Sequence, residues 1–504
     1  MSLDLDRFRL RNFIAALEAA GELQIHEAPC DLVDLPELID GEAKAVLIKE
    51  VGPERQSLAA NVCASRARLA LAFGVPADKL REEVQRRLRT APVISELTSD
   101  QAPVQQVVLR GADADLTKLP VHLQHGVDGA PYISAGIDFV LDPRTGQTNS
   151  GIRRLMLRGP QEAGIDLVSP SDFRAIYEAN AKKGPFPVAF VIGAHPIDYV
   201  AAMMRLPVDE LGLVACLRDA PLPVVKCVTN DIRVPADAEY VIEGYLDERG
   251  HVEAEGPFGE FLGYYGAVKR NPVFHVTAIT HRKDALFQTM SIGGRAMSRT
   301  DTAQLNAIRT EIMVWRALET AVREPLAVYA TPSSGGMFNV RVSLRQRVSG
   351  EARNAIAAAL GCLANIKHVF VVDPDIDIFD HEQMDWALAT RFQADRDLIV
   401  LDGMRTLPLD PSLGSAKVGG KAGFDLTWPL GTQDRLDVQV PEAPRFEGAR
   451  FASVEAALED GPKYFEDLMS AVGSRDGREI VRVLDDLRKQ NRLGRDERGR
   501  YLIP

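Results

Sequence analysis

Cysteine is scarce in this chain, and its spacing excludes two of its common uses. Five cysteines occur among 504 residues, and no two of them have the spacing of a CxxC motif. An odd number without paired spacing argues against both a disulfide framework and a zinc cluster. The sequence therefore predicts a reduced, cytoplasmic protein.

Long apolar runs and an excess of positive charge are also missing. No stretch approaches the roughly 18 apolar residues of a transmembrane helix. The start, MSLDLDRFRLRNF, is acidic and amphipathic, so we expect neither a signal peptide nor a membrane partner. Basic residues number 59 against 71 acidic ones, a formal net charge of −12. This balance makes nucleic acid an unexpected partner.

Several common catalytic motifs are absent as well. The chain has no Walker loop, no HExxH and no GxSxG, and its nine histidines show no ligand spacing. These absences remove the commonest nucleotide-triphosphatase and hydrolase interpretations. His122 and His125, beside a Gly-Pro turn, are weak pocket candidates.

The patterns that are present predict a multidomain α+β fold. A chain of 504 residues exceeds one hydrophobic core. β-rich runs separated by turn residues indicate a central barrel-like domain, and alternating strands and helices follow a long helix. We predict an N-terminal α/β region (1–103), a barrel domain (104–300), a linking helix (301–325), a C-terminal α/β domain (326–438), and a linker with a small, locally basic winged-helix-like tail (439–504).

The stretch EGPFGE places Glu255 and Glu260 five positions apart around a Gly-Pro-Phe-Gly core. Five residues turn a helix by about 500°, so a helix would not put both acids on one face. Pro257 and the glycines also disfavour a helix. We expect a shaped loop in which nearby rings leave one acid ionised and the other protonated. The alternative is a solvated turn with two ordinary surface acids.

A second unusual stretch is the strand TNSGIRRLMLRG, with adjacent Arg153 and Arg154. Adjacent side chains of a strand face opposite sides, so one arginine should point inward. There it needs a carboxylate, a phosphate or an aromatic face. An ion pair to a neighbouring strand is the plainer alternative.

Taken together, these motifs resemble the UbiD family of decarboxylases. NSGIRR, DELGLVACL, VVKCVTNDIRVPADAEYVIEGYL, EGPFGEFLGYY, VFHVTAITHR, the lysine of NIKHVFVVDPDID and GKAGFD occur in the family's order, over about residues 5 to 435. The resemblance implies a split β-barrel that binds prenylated FMN and a reversible non-oxidative decarboxylase of aromatic, heteroaromatic or α,β-unsaturated acids. It also implies a flavin prenyltransferase as cofactor supplier and a homodimer or larger homo-oligomer, with the C-terminal domain suited to oligomerisation.

The resemblance assigns roles to individual residues. Asn149 and Glu210 match metal ligands for Mn²⁺ or Mg²⁺ beside the cofactor phosphate, with K⁺ nearby. Arg154, Glu255 and Glu260 match the catalytic network, Glu260 being the proton donor. The remaining cofactor contacts that it implies are Ile152, Arg153 and Lys367.

The chain departs from the family pattern in two places. Many relatives supply a third, histidine metal ligand, but LMLRGPQEAGIDLVSP (155–170) contains none. Arg153 stands where relatives often carry tyrosine, and this cation would serve the anionic cofactor or an external ion pair. GGRAMSR (293–299) falls near a cleft-bordering loop. Its arginines would favour a substrate with a second acidic or phosphate group, unless the loop is simply solvated.

Two alternatives to a decarboxylase remain open at this stage. A flavin reductase on a similar barrel would bind flavin but gives no role to Arg154, Glu255 and Glu260. A DNA-binding regulator would use the basic tail, against the acidity of the whole chain.

Overall fold

The computed structural model describes residues 3–363, 365–433, 435–441 and 443–504. The chain divides into two compact units, 1–427 and 428–504. The fold is mixed α+β, as predicted. The domain boundaries predicted inside the first unit stay predictions.

The N-terminal part of the first unit is a small α/β layer. Its four-stranded sheet has the order β1-β2-β3-β18. Helices and strands in this part are α1 (Leu10–Ala19), β1 (Leu23–His26), α2 (Leu35–Ile39), β2 (Ala45–Val51), β3 (Gln56–Ala60), α3 (Arg66–Phe73), α4 (Leu80–Arg87) and β4 (Ile94–Leu97). The strand β18 (Phe287–Gln288) comes much later in the chain and pairs in parallel with β3.

The centre of the first unit is built from many short strands. They are β5 (Val107–Arg110), β6 (Tyr132–Leu141), β7 (Thr148–Gly159), β8 (Glu162–Ile165), β9 (Phe186–Ile192), β10 (Leu222–Lys226), β11 (Arg233–Pro235), β12 (Tyr240–Leu246), β13 (Glu253–Glu255), β14 (Phe258–Gly259), β15 (Tyr265–Gly266), β16 (Lys269–Asn271) and β17 (Val273–His281). Three helices are inserted: α5 (Asp172–Asn180), α6 (Pro196–Met203) and α7 (Glu210–Arg218).

Six of these strands close into a barrel. Its order is β12-β9-β6-β7-β8-β17, and β17 pairs again with β12 to complete the ring. Closure passes through a β-bulge at Glu243/Gly244, where a side chain on Gly244 would collide with the His275 carbonyl oxygen. Glycine therefore lets β12 turn the corner that the barrel requires. The strand β10, expected among the barrel runs, instead pairs with β4 and β11 in a separate sheet.

Alternating apolar residues fill the barrel, as the strand patterns predict. Phe190 and Phe274 meet edge to face with ring centroids 5.0 Å apart. Each is fully buried, which stabilises the fold by about 1.5–3 kcal/mol per ring. The barrel is thus a packed core, and the space for a ligand lies beside it.

A long helix, α8 (Asp301–Ala321), leads into the C-terminal part of the first unit. A five-stranded sheet follows in the order β19-β20-β21-β23-β22. Its elements are β19 (Pro325–Ala330), β20 (Asn339–Leu344), α9 (Glu351–Cys362), β21 (His368–Val372), α10 (His381–Arg391), α11 (Ala394–Asp397), β22 (Leu398–Arg405) and β23 (Val418–Leu426). No helix in the described part of the chain combines the length and the apolar content that crossing a bilayer needs.

Within its described residues, the second unit has three α-helices and a hairpin. They are α12 (Val454–Glu459), α13 (Phe465–Val472), α14 (Arg478–Lys489), β24 (Gly494–Arg495) and β25 (Tyr501–Leu502), around a small core that includes Leu468 and Ile480. All of these elements lie within the predicted tail (439–504). The winged-helix-like identity of the unit stays a prediction.

Candidate active site

Arg154 contacts three carboxylates. Its Nε and Nη2 donate to the two oxygens of Glu255 at 3.0 and 3.2 Å. Its Nη1 donates to Glu260 Oε1 at 3.0 Å, and Nη2 lies 3.0 Å from Asp166 Oδ2. Lys269 adds a second cation, 3.2 Å from Asp166 and 3.9 Å from Glu260. Sequence reasoning brought Arg154, Glu255 and Glu260 together but missed Asp166 and Lys269, which no motif marks.

Strand geometry places the two arginines of β7 in different surroundings. The Arg154 guanidinium lies 4.5 Å from the centre of the Phe258 ring. Arg153 forms an ion pair with Asp138 at 3.0 Å and lies 5.0 Å from the Phe173 ring. Adjacent strand residues point to opposite faces, which accounts for this separation. The carboxylate and aromatic partners expected for an inward arginine are thus present.

The loop 255–260 bends so that both its acids reach one guanidinium. Glu255 ends β13 and is fully buried, Phe258 and Gly259 form β14, and Glu260 follows directly. Asp128 holds the bend from the outside, since its Oδ1 accepts from the Gly259 N–H at 2.9 Å. A shaped loop is therefore present, rather than a solvated turn.

His125 contacts Asp128, the residue that holds this bend, and His122 is close to it in the chain. His125 lies 3.4 Å from Asp128, and this carboxylate raises the pKa of His125. Burial lowers the pKa of His122 to about 4, so that ring is neutral at pH 7. His122 and His125 line a small cavity of about 30 Å³, which is too small for a substrate.

Burial and charge separate the acids around Arg154. Burial raises the pKa of Glu260, although Arg154 and Lys269 oppose the shift. Burial acts in the same direction on Asp166, but Arg154 and Lys269 outweigh it and keep that pKa below its usual value. Asp166 therefore stays ionised, whereas Glu260 is the acid that can hold a proton.

A cavity of about 460 Å³ lies beside this network. Its volume falls within the range of small-molecule and cofactor sites. Residues that line it and were named from the sequence are Asn149, Ile152, Arg153, Arg154, Glu210 and Glu260. Apolar side chains on the same wall include Met290 and Ile292, which would suit a flat ring system.

One end of the cavity carries oxygen donors. Asn149 and Glu210 line it together with Asp172, and the same three residues line the adjoining cavity. Glu210 accepts from the Ser150 N–H, and burial raises its pKa to about 7. The Ser150 hydroxyl is buried without a hydrogen-bond partner among the described atoms. Such a donor set suits a hard divalent ion with a phosphate.

A metal cluster of the usual kind is not found in the described part of the chain, which has no group of three or more His, Cys, Asp or Glu side chains placed to hold an ion. Amide oxygens such as that of Asn149 fall outside such a group. The metal ligands implied by the resemblance therefore stay a prediction.

The side chain of Lys367 is engaged by two polar partners. Its Nζ donates to Asp410 at 2.7 Å and to Ser412 at 2.6 Å. Its neighbour Asn365 lines the cavity, whereas Lys367 is not among the described lining residues. A role for Lys367 at a cofactor phosphate would require this ion pair to open.

Three family models match consecutive parts of the chain. They are the N-terminal, Rift-related and C-terminal domains of 3-octaprenyl-4-hydroxybenzoate carboxy-lyase, over residues 14–88, 95–295 and 303–426. These matches cover the first unit and leave out the second.

Relatives of known name agree with the family models. The chain is 32% identical to the anhydromevalonate phosphate decarboxylase of Methanosarcina mazei over 83% of this chain and 95% of the relative. It superposes on the UbiD-class enzyme HmfF of Pelotomaculum thermopropionicum in complex with FMN with a TM-score of 0.81. This match is 33% identical and covers 86% of this chain and 97% of HmfF. An evolved dimeric form of HmfF with prFMN gives a TM-score of 0.77 at 31% identity, over 87% and 97% of the two chains.

The closed barrel, the Arg154 network and these matches define a carboxy-lyase. The chain belongs to the UbiD family, and it is a decarboxylase. The family predicted from the sequence motifs is thereby confirmed.

Proposed function

We propose that the protein catalyses reversible, non-oxidative decarboxylation of an α,β-unsaturated, aromatic or heteroaromatic acid with prenylated FMN. The observation that carries the proposal is the contact of Arg154 with both Glu255 and Glu260 beside a cavity of about 460 Å³. A flavin reductase would have no use for this network. Solved relatives with FMN and prFMN support the choice of cofactor.

The cavity fits such a cofactor. The apolar side chains of Ile152, Met290 and Ile292 would contact the ring system, and Arg153 would accompany its negative charge. When bound, prenylated FMN supplies an electron sink for the carbon that loses CO₂.

The chain's own residues position and protonate the substrate. Arg154 donates two parallel hydrogen bonds to the carboxylate of Glu255, and these bonds fix the orientation of the Arg154 guanidinium. Burial raises the pKa of Glu260, which favours its protonated form, and the protonated acid donates its proton to the carbon that CO₂ leaves. Phe258, fully buried against Arg154, excludes water from this side of the site.

A divalent ion, Mn²⁺ or Mg²⁺, would bind through Asn149 and Glu210 beside the cofactor phosphate. Asp172 starts α5 directly after the segment that lacks a histidine, and it lines the same cavities. We propose that its carboxylate is the third protein ligand. Three oxygen donors would suit Mg²⁺ or Mn²⁺, and K⁺ remains a further candidate ion.

The partners follow from the cofactor and from the family. A flavin prenyltransferase would supply the prenylated flavin. A homodimer or larger homo-oligomer, with the C-terminal domain in the interface, and a cytoplasmic location are part of the same proposal.

By its name, the Methanosarcina relative acts on a phosphate-bearing compound, so phosphorylated acids join the candidate substrates.

The test is to co-express the chain with a flavin prenyltransferase and purify it without oxygen. Mass spectrometry and visible absorption should then detect bound prenylated FMN, and the protein should release CO₂ from members of an acid panel. Purified protein that binds no flavin when Mn²⁺ and K⁺ are supplied would overturn the proposal.

A further inference from the structure

The cavity beside Arg154 carries more cations than the proposed chemistry uses. Its lining includes six basic residues and four acidic ones. The basic residues are Arg153, Arg154, Arg205, Arg309, Arg405 and Lys417. Arg153 and Arg154 are paired with carboxylates, but no ion pair within the described residues engages the other four.

Arg309 is the most enclosed of these four cations. It projects from α8, and its Nε is buried without a hydrogen-bond partner among the described atoms. Burial lowers its pKa to about 10, and the nearby charge of Arg205 adds to this shift. An unpaired buried guanidinium costs free energy unless an anion joins it.

The other cations come from different elements and meet at the same cavity. Burial lowers the pKa of Arg205, and the charges of Arg153 and Arg405 act in the same direction. Arg405 ends β22, and Lys417 precedes β23. Three separate parts of the fold therefore bring positive charge to one space. The arginines of GGRAMSR are not the source, because Arg299 donates to the Gly41 carbonyl and the described lining includes neither Arg295 nor Arg299.

Charge balance indicates what these cations face. A phosphate monoester carries about −1.5 to −2 charges, which one divalent ion would offset. The carboxylates near Arg205, Asp172 and Glu210, belong to the proposed ion site. Arg309, Arg405 and Lys417 thus remain without an ion pair among the described residues after the cofactor is counted, while the reacting carboxylate of a simple monoacid brings only one negative charge.

We propose that Arg309 and Arg405, with Lys417 at the rim, form a subsite for a second anionic group, carboxylate or phosphate, on the substrate. This inference rests on the proposed function and narrows its substrate class to acids with two anionic groups. Guanidinium forks bind both groups in the same manner, through two parallel hydrogen bonds.

The experiment compares three ligands on one scaffold. Calorimetry measures the affinity of the cofactor-loaded enzyme for cinnamate, 4-carboxycinnamate and 4-phosphooxycinnamate. We expect at least one dianion to bind about tenfold or more tightly than cinnamate, because charge-assisted hydrogen bonds to the second anionic group add to the affinity. Whichever dianion binds more tightly identifies carboxylate or phosphate as the preferred second group.

Variants test which residues are responsible. Arg309→Gln and Arg405→Gln should each lower the dianion-to-cinnamate preference about tenfold, with flavin content unchanged. The matched control is Arg316→Gln, an exposed arginine two turns further along α8, which should leave the preference as it is. Equal affinities for all three ligands, including a failure of all three to bind, would overturn the inference. A loss of bound flavin in Arg309→Gln with an unchanged dianion-to-cinnamate preference would also overturn the inference, because Arg309 would then bind the cofactor.

The proposed function is judged separately in the same samples. Bound prenylated FMN and CO₂ release from cinnamate without any dianion preference would support the decarboxylation proposal and refute the subsite. Absence of bound flavin would count against the proposed function, and calorimetry of the same three ligands with the flavin-free protein would then decide the subsite.

Discussion

Arg218 and Arg154 each hold more than one carboxylate, yet their surroundings differ. Arg218 donates two bonds to Asp198, at 2.8 and 2.6 Å, and two to Asp237, at 2.6 and 3.2 Å. Only 1% of its side chain is exposed. This cluster joins the end of α7 to α6 and to the chain before β12, with its hydrogen bonds satisfied by protein.

The Arg154 cluster has a third carboxylate and an open side. Its side chain is 12% exposed, and Asp166 and Glu260 line the cavity with it. An arginine shared among buried acids is therefore not in itself a sign of catalysis. Burial raises the pKa of one acid in each cluster, Asp198 and Glu260, so the cavity is what distinguishes the Arg154 cluster from the Arg218 cluster.

The largest effect should come from removing the proton donor. We expect Glu260→Gln to lower the rate of decarboxylation about 10³-fold or more while flavin content is kept, because the amide cannot donate an acidic proton. Initial rates of CO₂ release measure this. Glu253→Gln, an exposed acid on the adjoining strand, is the control and should be near normal. A Glu260→Gln enzyme with near-normal turnover would remove Glu260 from this role.

Replacing the structural arginine should cost stability instead. Arg218→Met leaves Asp198 and Asp237 buried without their cation, so we expect the free energy of unfolding to fall by about 3–5 kcal/mol. Arg154→Met should cost less, about 2 kcal/mol, since water in the cavity can solvate its partners. Denaturant unfolding of both variants measures the difference. Equal losses would mean that the two clusters are alike in kind.

A methyl group aimed at Glu260 should have an intermediate effect. A side chain on Gly266 would meet Glu260 Oε1 at 2.8 Å, a contact that the carboxylate can relieve by moving. Gly266→Ala should therefore lower the rate about 10- to 100-fold by misplacing the acid, with little change in unfolding. Rates and thermal melts of the same sample would check this. Gly126→Ala, which meets no atom within 4 Å, is the control.

Substitutions of the proposed metal ligands should lower the flavin and metal content of the protein rather than the rate of the chemical step. Three variants test this: Asn149→Ala, Asp172→Ala and Glu210→Ala. Each should lower the flavin and metal content several-fold, because each removes a proposed ligand. Elemental analysis and flavin absorbance of purified protein measure this. Full loading of all three variants would contradict the metal assignment.

The smallest effect should be a pH dependence of the rate. Glu260 must be protonated to donate, and its pKa is raised, so the rate should fall as pH rises through that pKa. The same shift means that folded protein holds this proton more tightly than unfolded protein. Its contribution to stability is thus present below the ordinary carboxyl pKa and lost as pH rises through the raised one. A rate profile that rises with pH would contradict this assignment.

Much of the site could be predicted from local sequence, because its residues come in short motifs. NSGIRR supplies Asn149 and Arg154, and EGPFGE supplies Glu255 and Glu260. Asp166, Lys269 and Arg309 could not be found in this way, since each stands in an ordinary stretch and reaches the site through a long-range contact. Lys367 illustrates the converse, because its motif matches while its side chain pairs with Asp410.

The order of elements, the α+β class and the motifs that bring Glu255 and Glu260 to Arg154 were determined by the sequence itself. Strand periodicity and the bend around Pro257 are local properties that the chain carries wherever it folds. Tertiary structure decided in which direction the pKa of each acid shifts, which cations lack an ion pair among the described residues, and which of two arginine clusters borders a cavity. Those properties depend on burial and on distances between distant segments, and neither is encoded in spacing along the chain.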